Sequence, residues 1–168
     1  MIYLYNLAGI NKGIVIDTDN LTEHFLGFFT IHGDMGDLSP IGGLWKTEIY
    51  GLAEWLKEKN YIYKNIEGAK ALQAAIDIKP TDGLGISLTD LDQIGAKTYD
   101  EVDAILKQII FPSDSNSVSK DELGISKITI KKVKERYEKT MFKRKHLPLI
   151  IKRGMYEHDI YTHDDIFI

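Results

Sequence analysis

The chain has 168 residues, 43% hydrophobic and 27% charged, enough to bury a core as one domain or one domain with a small appendage. It contains no cysteine, which excludes disulfides, thiolate nucleophiles and cysteine–zinc sites. The net charge of −4 hides an asymmetry: residues 1–119 carry −8, residues 120–153 carry +8, and the tail from residue 154 carries −4.

In chain order, residues 2–7 alternate apolar and aromatic side chains as a strand does, and turn chemistry over residues 8–13 leads to a second short strand at 14–17. This predicts an opening hairpin. Asp19 or Asn20 can cap a short helix through Leu21, Phe25 and Leu26, after which residues 27–32 read as a strand and residues 33–44 as a loop rich in Gly and Asp. Thr47 is a helix cap by position, with Ile49, Leu52, Trp55 and Leu56 on one face of the helix that follows. Asn65 caps the next, with Ile66, Ala69, Leu72 and Ile76 inward. Pro80, Gly83 and Gly85 make a loop, and the Gly-Leu-Gly within it lacks the Lys and Ser or Thr of a phosphate loop. Thr98 with Glu101 has capping-box spacing and starts a helix carrying Val102, Ile105, Leu106 and Ile109, which Pro112 stops.

Residues 113–119, SDSNSVS, are small, polar and without periodicity, and divide an acidic body, 1–112, from a basic part, 120–168. Residues 127–145 read as one amphipathic helix of about five turns. Ile130, Val133, Tyr137 and Met141 line one face, and Lys127, Lys131, Lys132, Lys134, Arg136, Lys139, Lys143 and Arg144 fill the rest. These cations are the candidate nucleic-acid or partner-binding residues. Alternatively, the acidic body covers them within the same molecule. Residues 149–151 and 155–168 read as strands, the latter a carboxyl-terminal hairpin. The predicted class is α+β: a small antiparallel sheet, three to four helices, then the basic helix and that hairpin.

Three constellations carry possible chemistry. Residues 120–137, KDELGISKITIKKVKERY, resemble helix-turn-helix DNA-binding regulators in the turn 123–126 and in Ile130 and Val133, though Lys120 stands where two crossing helices need a small residue. His32, Asp34 and Asp37, together with His158, Asp159, His163, Asp164 and Asp165, are the clusters from which a metal-dependent hydrolase would be built, His158, His163 and Asp164 foremost. The same residues are equally good turn formers. Trp45, Trp55, Tyr61 and Tyr63 could stack bases but have the spacing of core aromatics.

Ile2-Tyr3, Asn6-Leu7-Ala8, Asn11 and Gly13 resemble the opening of the ArdA antirestriction family. That resemblance covers thirteen residues and implies a non-catalytic, anti-defence accessory of a mobile element or phage. Its members are acidic dimers that act as DNA mimics, presenting carboxylates where DNA presents phosphates. The partner so implied is a host nuclease or other nucleic-acid-processing protein, with DNA or RNA on the basic helix. Beyond Gly13 the pattern departs, and the +8 segment contradicts mimicry. No cofactor is expected. No window approaches eighteen apolar residues and the amino terminus lacks a positive leader, so a cytoplasmic protein without a membrane span is expected.

Overall fold

A computed structural model describes residues 1–81, 88–112, 124–145 and 149–150. Its contacts divide the chain into two units, residues 1–45 with 134–168, and residues 46–133. The linker expected at 113–119 and the strands expected over 155–168 lie outside the described residues.

In the first unit, residues 2–7 are helical and the opening hairpin is absent. Helix α1, Ile2–Asn11, closes its first turn with a bond from the Tyr5 amide to the Met1 carbonyl, and ends on Lys12 in the left-handed region, φ 52°. Periodicity cannot separate helix from strand in so short an apolar run. Within it, Leu4, Leu7 and Ala8 favour the helix. The segment after it is extended, and forms a parallel bridge from Ile16 to Leu38. Helix α2, Leu21–Leu26, starts on Asn20 with a complete capping box: the Asn20 side chain accepts from the Glu23 amide at 3.1 Å, and the Glu23 carboxylate accepts from the Asn20 amide at 3.0 Å. Gly27 ends it at φ 63°.

Residues 27–32, expected as a strand, are a helix cap followed by turns. The Gly27 and Phe29 carbonyls are taken by the Lys143 ammonium at 2.7 and 2.5 Å rather than by a neighbouring strand. Within the expected loop, β1, Leu38–Ser39, pairs with β2, Leu149–Ile150, in parallel, Leu38 opposite Leu149 and Ser39 opposite Ile150. Val15, Leu21, Phe25, Leu26, Phe29 and Trp45 form the core, with the Phe25 and Trp45 rings stacked 5.8 Å apart.

In the second unit, α3, Lys46–Ile62, and α4, Ile66–Asp77, form a helical hairpin whose return is capped by Asn65 accepting from the Gly68 amide. Helix α5, Asp90–Ile94, starts on Thr89, and α6, Tyr99–Ile110, on Thr98, whose hydroxyl accepts from the Glu101 amide at 3.3 Å. The Glu101 carboxylate reaches back one residue further than a standard box, to the Lys97 amide at 2.8 Å. Ala69, Ile94, Tyr99, Val102, Ile105, Leu106 and Val133 are buried. Ile66, expected inward, is exposed.

The basic segment is not one helix. Helix α7, Lys127–Lys139, gives way to a 3₁₀ turn, Met141–Lys145. At the junction the Thr140 hydroxyl bonds back to the Arg136 carbonyl at 2.9 Å, and the Lys143 amide closes on the Thr140 carbonyl at 3.0 Å, an i to i+3 bond that tightens the spiral. No helix among the described residues is long and apolar enough to cross a membrane.

Candidate functional site

Two arrangements concentrate polar chemistry, one in each unit. In the first, Asp17 is buried, and its two oxygens accept from the Asp19 amide at 2.6 Å and the Gly36 amide at 3.2 Å. Asp37 accepts from the Val15 amide at 2.9 Å, and the Ser39 hydroxyl donates to the Asp19 carbonyl at 3.2 Å. These bonds fold residues 15–20 and 34–39 onto each other. Gly36 is required there, because a Cβ would lie 2.6 Å from the Val15 carbonyl oxygen. The result is a polar loop leading straight into the capped start of α2. Beneath it His24 is buried, stacked on Phe29 at 6.0 Å and edge-on to Phe25 at 5.3 Å. Burial, and then the Arg144 guanidinium, push its pKa down to about 3, so it is neutral at pH 7.

The carboxyl end of α2 is held by cations. Arg136 Nε donates to the Leu26 carbonyl and Arg144 to the Phe25 carbonyl, each at 2.8 Å, beside the Lys143 bonds. Each cation also lies over a ring: Arg136 over Phe28 at 4.0 Å, Arg144 over Tyr137 at 4.2 Å and Lys143 over Phe29 at 5.2 Å. Burial lowers the pKa of both Lys143 and Arg144. Three of the eight predicted cations are therefore turned inward onto carbonyl oxygens. Lys127, Lys131, Lys132, Lys134 and Lys139 are exposed, with Lys134 4.0 Å from Glu138.

The second arrangement is a groove of about 980 Å³. One wall is the start of α3, with Thr47 and Tyr50. The other runs through Ile76–Pro80, then Leu88, Thr89, Leu91 and Asp92, and Ala96–Asp100. Its aromatic element is the Tyr50 and Tyr99 ring pair, 6.2 Å apart, with the Lys46 ammonium 5.6 Å from the Tyr99 centroid. The wall is fixed by Asp103, 2% exposed, whose Oδ2 accepts from the Thr47 amide at 3.0 Å and the Thr47 hydroxyl at 2.8 Å. A carboxylate from α6 thus caps the first turn of α3. Lys79 and Lys97 add positive charge and Asp92 negative charge at the rim.

Among the described residues, the predicted metal residues His32, Asp34 and Asp37 are not gathered into a metal site. Asp34 accepts from the Thr30 amide at 2.8 Å, Asp37 serves Val15, and His32 is a turn residue at φ 64°. Among the described residues no group of three His, Asp or Glu could hold a metal ion, and His158, His163 and Asp164 lie outside them. So does the first helix expected for the helix-turn-helix.

The chain as a whole is similar to known proteins. The family model for NAD synthase covers residues 1–147. The chain belongs to the NAD synthase family. It is 35% identical over 154 residues to an NH(3)-dependent NAD(+) synthetase of Thermoplasma acidophilum, covering 91% of this chain and 54% of that one. With the enzyme of the same name from Helicobacter pylori it shares 33% identity over 159 residues, covering 91% of this chain and 55% of that one. Among solved structures, the NMN synthetase of Francisella tularensis superposes with a TM-score of 0.60 at 27% identity, covering 88% of this chain and 50% of that one. The chain spans about half the length of these relatives.

Family membership corrects the ArdA reading. A model matching 147 residues outweighs a thirteen-residue likeness, and residues 2–11 within it are a helix rather than the strand and turn the likeness assumed. With it fall the non-catalytic accessory, the DNA mimic, the host nuclease or nucleic-acid partner, the DNA-binding regulator and the metal-dependent hydrolase: the NAD synthase family is one of enzymes that act on small molecules. Sequence reasoning missed Asp103 and the Tyr50–Tyr99 pair. A signal for Asp103 existed, since it stands three residues before Leu106 on the inward face of α6.

Proposed function

We propose that this chain serves in ammonia-dependent synthesis of NAD+, converting the carboxylate of a nicotinic acid dinucleotide to the carboxamide at the expense of ATP. The observation that carries the reading is the NAD synthase match over residues 1–147, shared with relatives that are named for this reaction. Ammonia does not displace oxygen from a carboxylate anion, so the acid must first carry a better leaving group, which ATP supplies. A protein doing this needs a site for a dinucleotide and a site for a triphosphate.

The groove of the second unit is the candidate dinucleotide site. Its volume of about 980 Å³ lies at the upper end of small-molecule sites. Tyr50, backed by the buried Tyr99, offers flat apolar surface to a base or pyridine ring, and Lys79 and Lys97 offer charge to a pyrophosphate. The polar loop of the first unit, with Asp19, Asn20 and Glu23 at the start of α2, is the candidate for the nucleotide triphosphate and its counter-cation.

Calorimetric titration of the purified chain with nicotinic acid adenine dinucleotide tests the groove. Binding is expected, and Tyr50→Ala or Lys97→Ala should each weaken it by roughly tenfold. Failure of the wild-type chain to bind, or binding that neither substitution changes, would refute the assignment. Activity is a separate readout, since the chain spans about half of its relatives.

A further inference from the structure

His24 is 6% exposed, and among the described residues no group hydrogen-bonds to either nitrogen of its ring. A neutral imidazole carries one donor and one acceptor, and burying them unmet is costly. The ring borders a cavity of about 10 Å³, the room one water-sized molecule needs. Asp17, Asn20 and Ser39, each 2% exposed, supply further polar walls, and Phe29 and Met35 an apolar side. These walls offer both kinds of hydrogen bond. Asn20 gives its oxygen to the Glu23 amide and keeps its Nδ2 donor, while Ser39 gives its proton to the Asp19 carbonyl and keeps its lone pairs. Asp17 accepts one amide on each oxygen and has acceptor capacity left.

We propose that this cavity is a binding site for one neutral molecule of water's size that both donates and accepts hydrogen bonds, linking the His24 ring to Asp17, Asn20 and Ser39. An anion is excluded by the carboxylates of Asp17 and Asp19, which line the space. A cation is disfavoured by the donors of Asn20 and His24, and by the Arg144 guanidinium, whose charge acts on the ring. Volume excludes anything larger. Water meets this description with two donors and two acceptors, and a buried water ordinarily bridges two to four polar groups of this kind. Ammonia meets it too, being of similar size with N–H donors and a lone pair. Either molecule would tie the buried ring of α2 to the polar loop above it. The site goes beyond the activity proposed above and does not require it.

The test is water-selective nuclear Overhauser spectroscopy of the purified full chain, with oxygen-17 relaxation dispersion to count long-lived waters and nitrogen-15 spectra of the His24 ring. At neutral pH, cross peaks from a long-lived molecule to the His24 ring and the Asn20 side-chain amide are expected, with the ring nitrogens at hydrogen-bonded rather than free positions. His24→Phe removes both ring nitrogens from the wall. It should abolish the Asn20 cross peak and lower the dispersion amplitude by one water. Ammonium chloride in alkaline buffer, where neutral ammonia is present, separates the two occupants when set against sodium chloride of equal strength. Ammonia that binds displaces the water cross peaks and shifts the ring nitrogens; water that holds the site leaves both unchanged. Either result upholds the site and names its occupant. The proposal is overturned if the wild type shows no long-lived molecule at His24 and Asn20, if both ring nitrogens resonate as free, or if folded His24→Phe keeps the Asn20 cross peak. Should His24→Phe fail to fold, the ring spectrum of the wild type decides.

Discussion

Replacing Asp103 with Ala removes the carboxylate that starts α3. In the folded protein Oδ2 takes two hydrogen bonds from Thr47, at 3.0 and 2.8 Å, in a site only 2% exposed. Each hydrogen bond to a charged group contributes about 1.5 kcal/mol at the low end, so the pair accounts for about 3 kcal/mol. Losing a helix cap alone costs about 1 kcal/mol. The larger figure applies because both Thr47 donors lose their acceptor at a site sheltered from water. Asp103→Asn keeps an acceptor oxygen but loses the charge, and should cost about half as much. In urea, with a slope of about 2 kcal/mol/M, Asp103→Ala should lower the unfolding midpoint by about 1.5 M. Thr47→Val, which deletes the hydroxyl bond alone, should cost about 1.5 kcal/mol. A shift for Asp103→Ala no larger than that for Thr47→Val would show that the amide bond contributes nothing, and would refute the cap.

Two further outcomes follow from the first unit. His24 has its pKa lowered from 6.5 to about 3 in the folded state, so the unfolded chain binds more protons between these values and stability falls as pH falls through this range. Between pH 6 and pH 4 the wild type should lose about 2–3 kcal/mol more than His24→Phe, whose ring keeps the stacking on Phe29; urea unfolding at both pH values checks it, and equal losses would refute it. Arg144→Lys should destabilise by about 2 kcal/mol despite keeping the charge, because one ammonium cannot reproduce the planar guanidinium that serves both the Phe25 and Tyr137 carbonyls at 2.8 Å. Full stability of Arg144→Lys in thermal unfolding would show that charge alone holds α2.

Much of the second unit was legible because its helices announce themselves locally. Asn65, Thr98 and Glu101 are capping residues at capping positions, and the apolar spacing of Val102, Ile105 and Leu106 selects the buried face of α6. The first unit was legible mainly at α2, where Asn20 stands at a capping position and Leu21, Phe25 and Leu26 mark the buried face. Its other determinants are long-range: Asp17 with Gly36, Val15 with Asp37, and Lys143 with Phe29 are 19, 22 and 114 positions apart, and nothing in local periodicity encodes such partners. The apolar alternation of residues 2–7 read as a strand because exposed and buried apolar residues look the same in sequence, and in α1 all of them are on the outside.

The basic segment shows how a charge map can mislead. Seen as composition, +8 over residues 120–153 is a surface for anions. Arg136, Lys143 and Arg144 instead meet the concentrated negative end of a six-residue helix, α2, and supply donors to the carbonyls of Phe25, Leu26 and Gly27 that its own ladder leaves open. A helix that short cannot hold itself together, since forming its first turn fixes several residues for one hydrogen bond. Its two ends are therefore secured from outside its own ladder, by Asn20 and Glu23 at the start and by three cations at the finish. That places the Asp17–Glu23 loop at one end of a strut whose other end is bolted to the 3₁₀ turn. The strongest charge feature in the sequence is thus partly internal, and acts on the candidate nucleotide loop through α2 rather than on a nucleic acid.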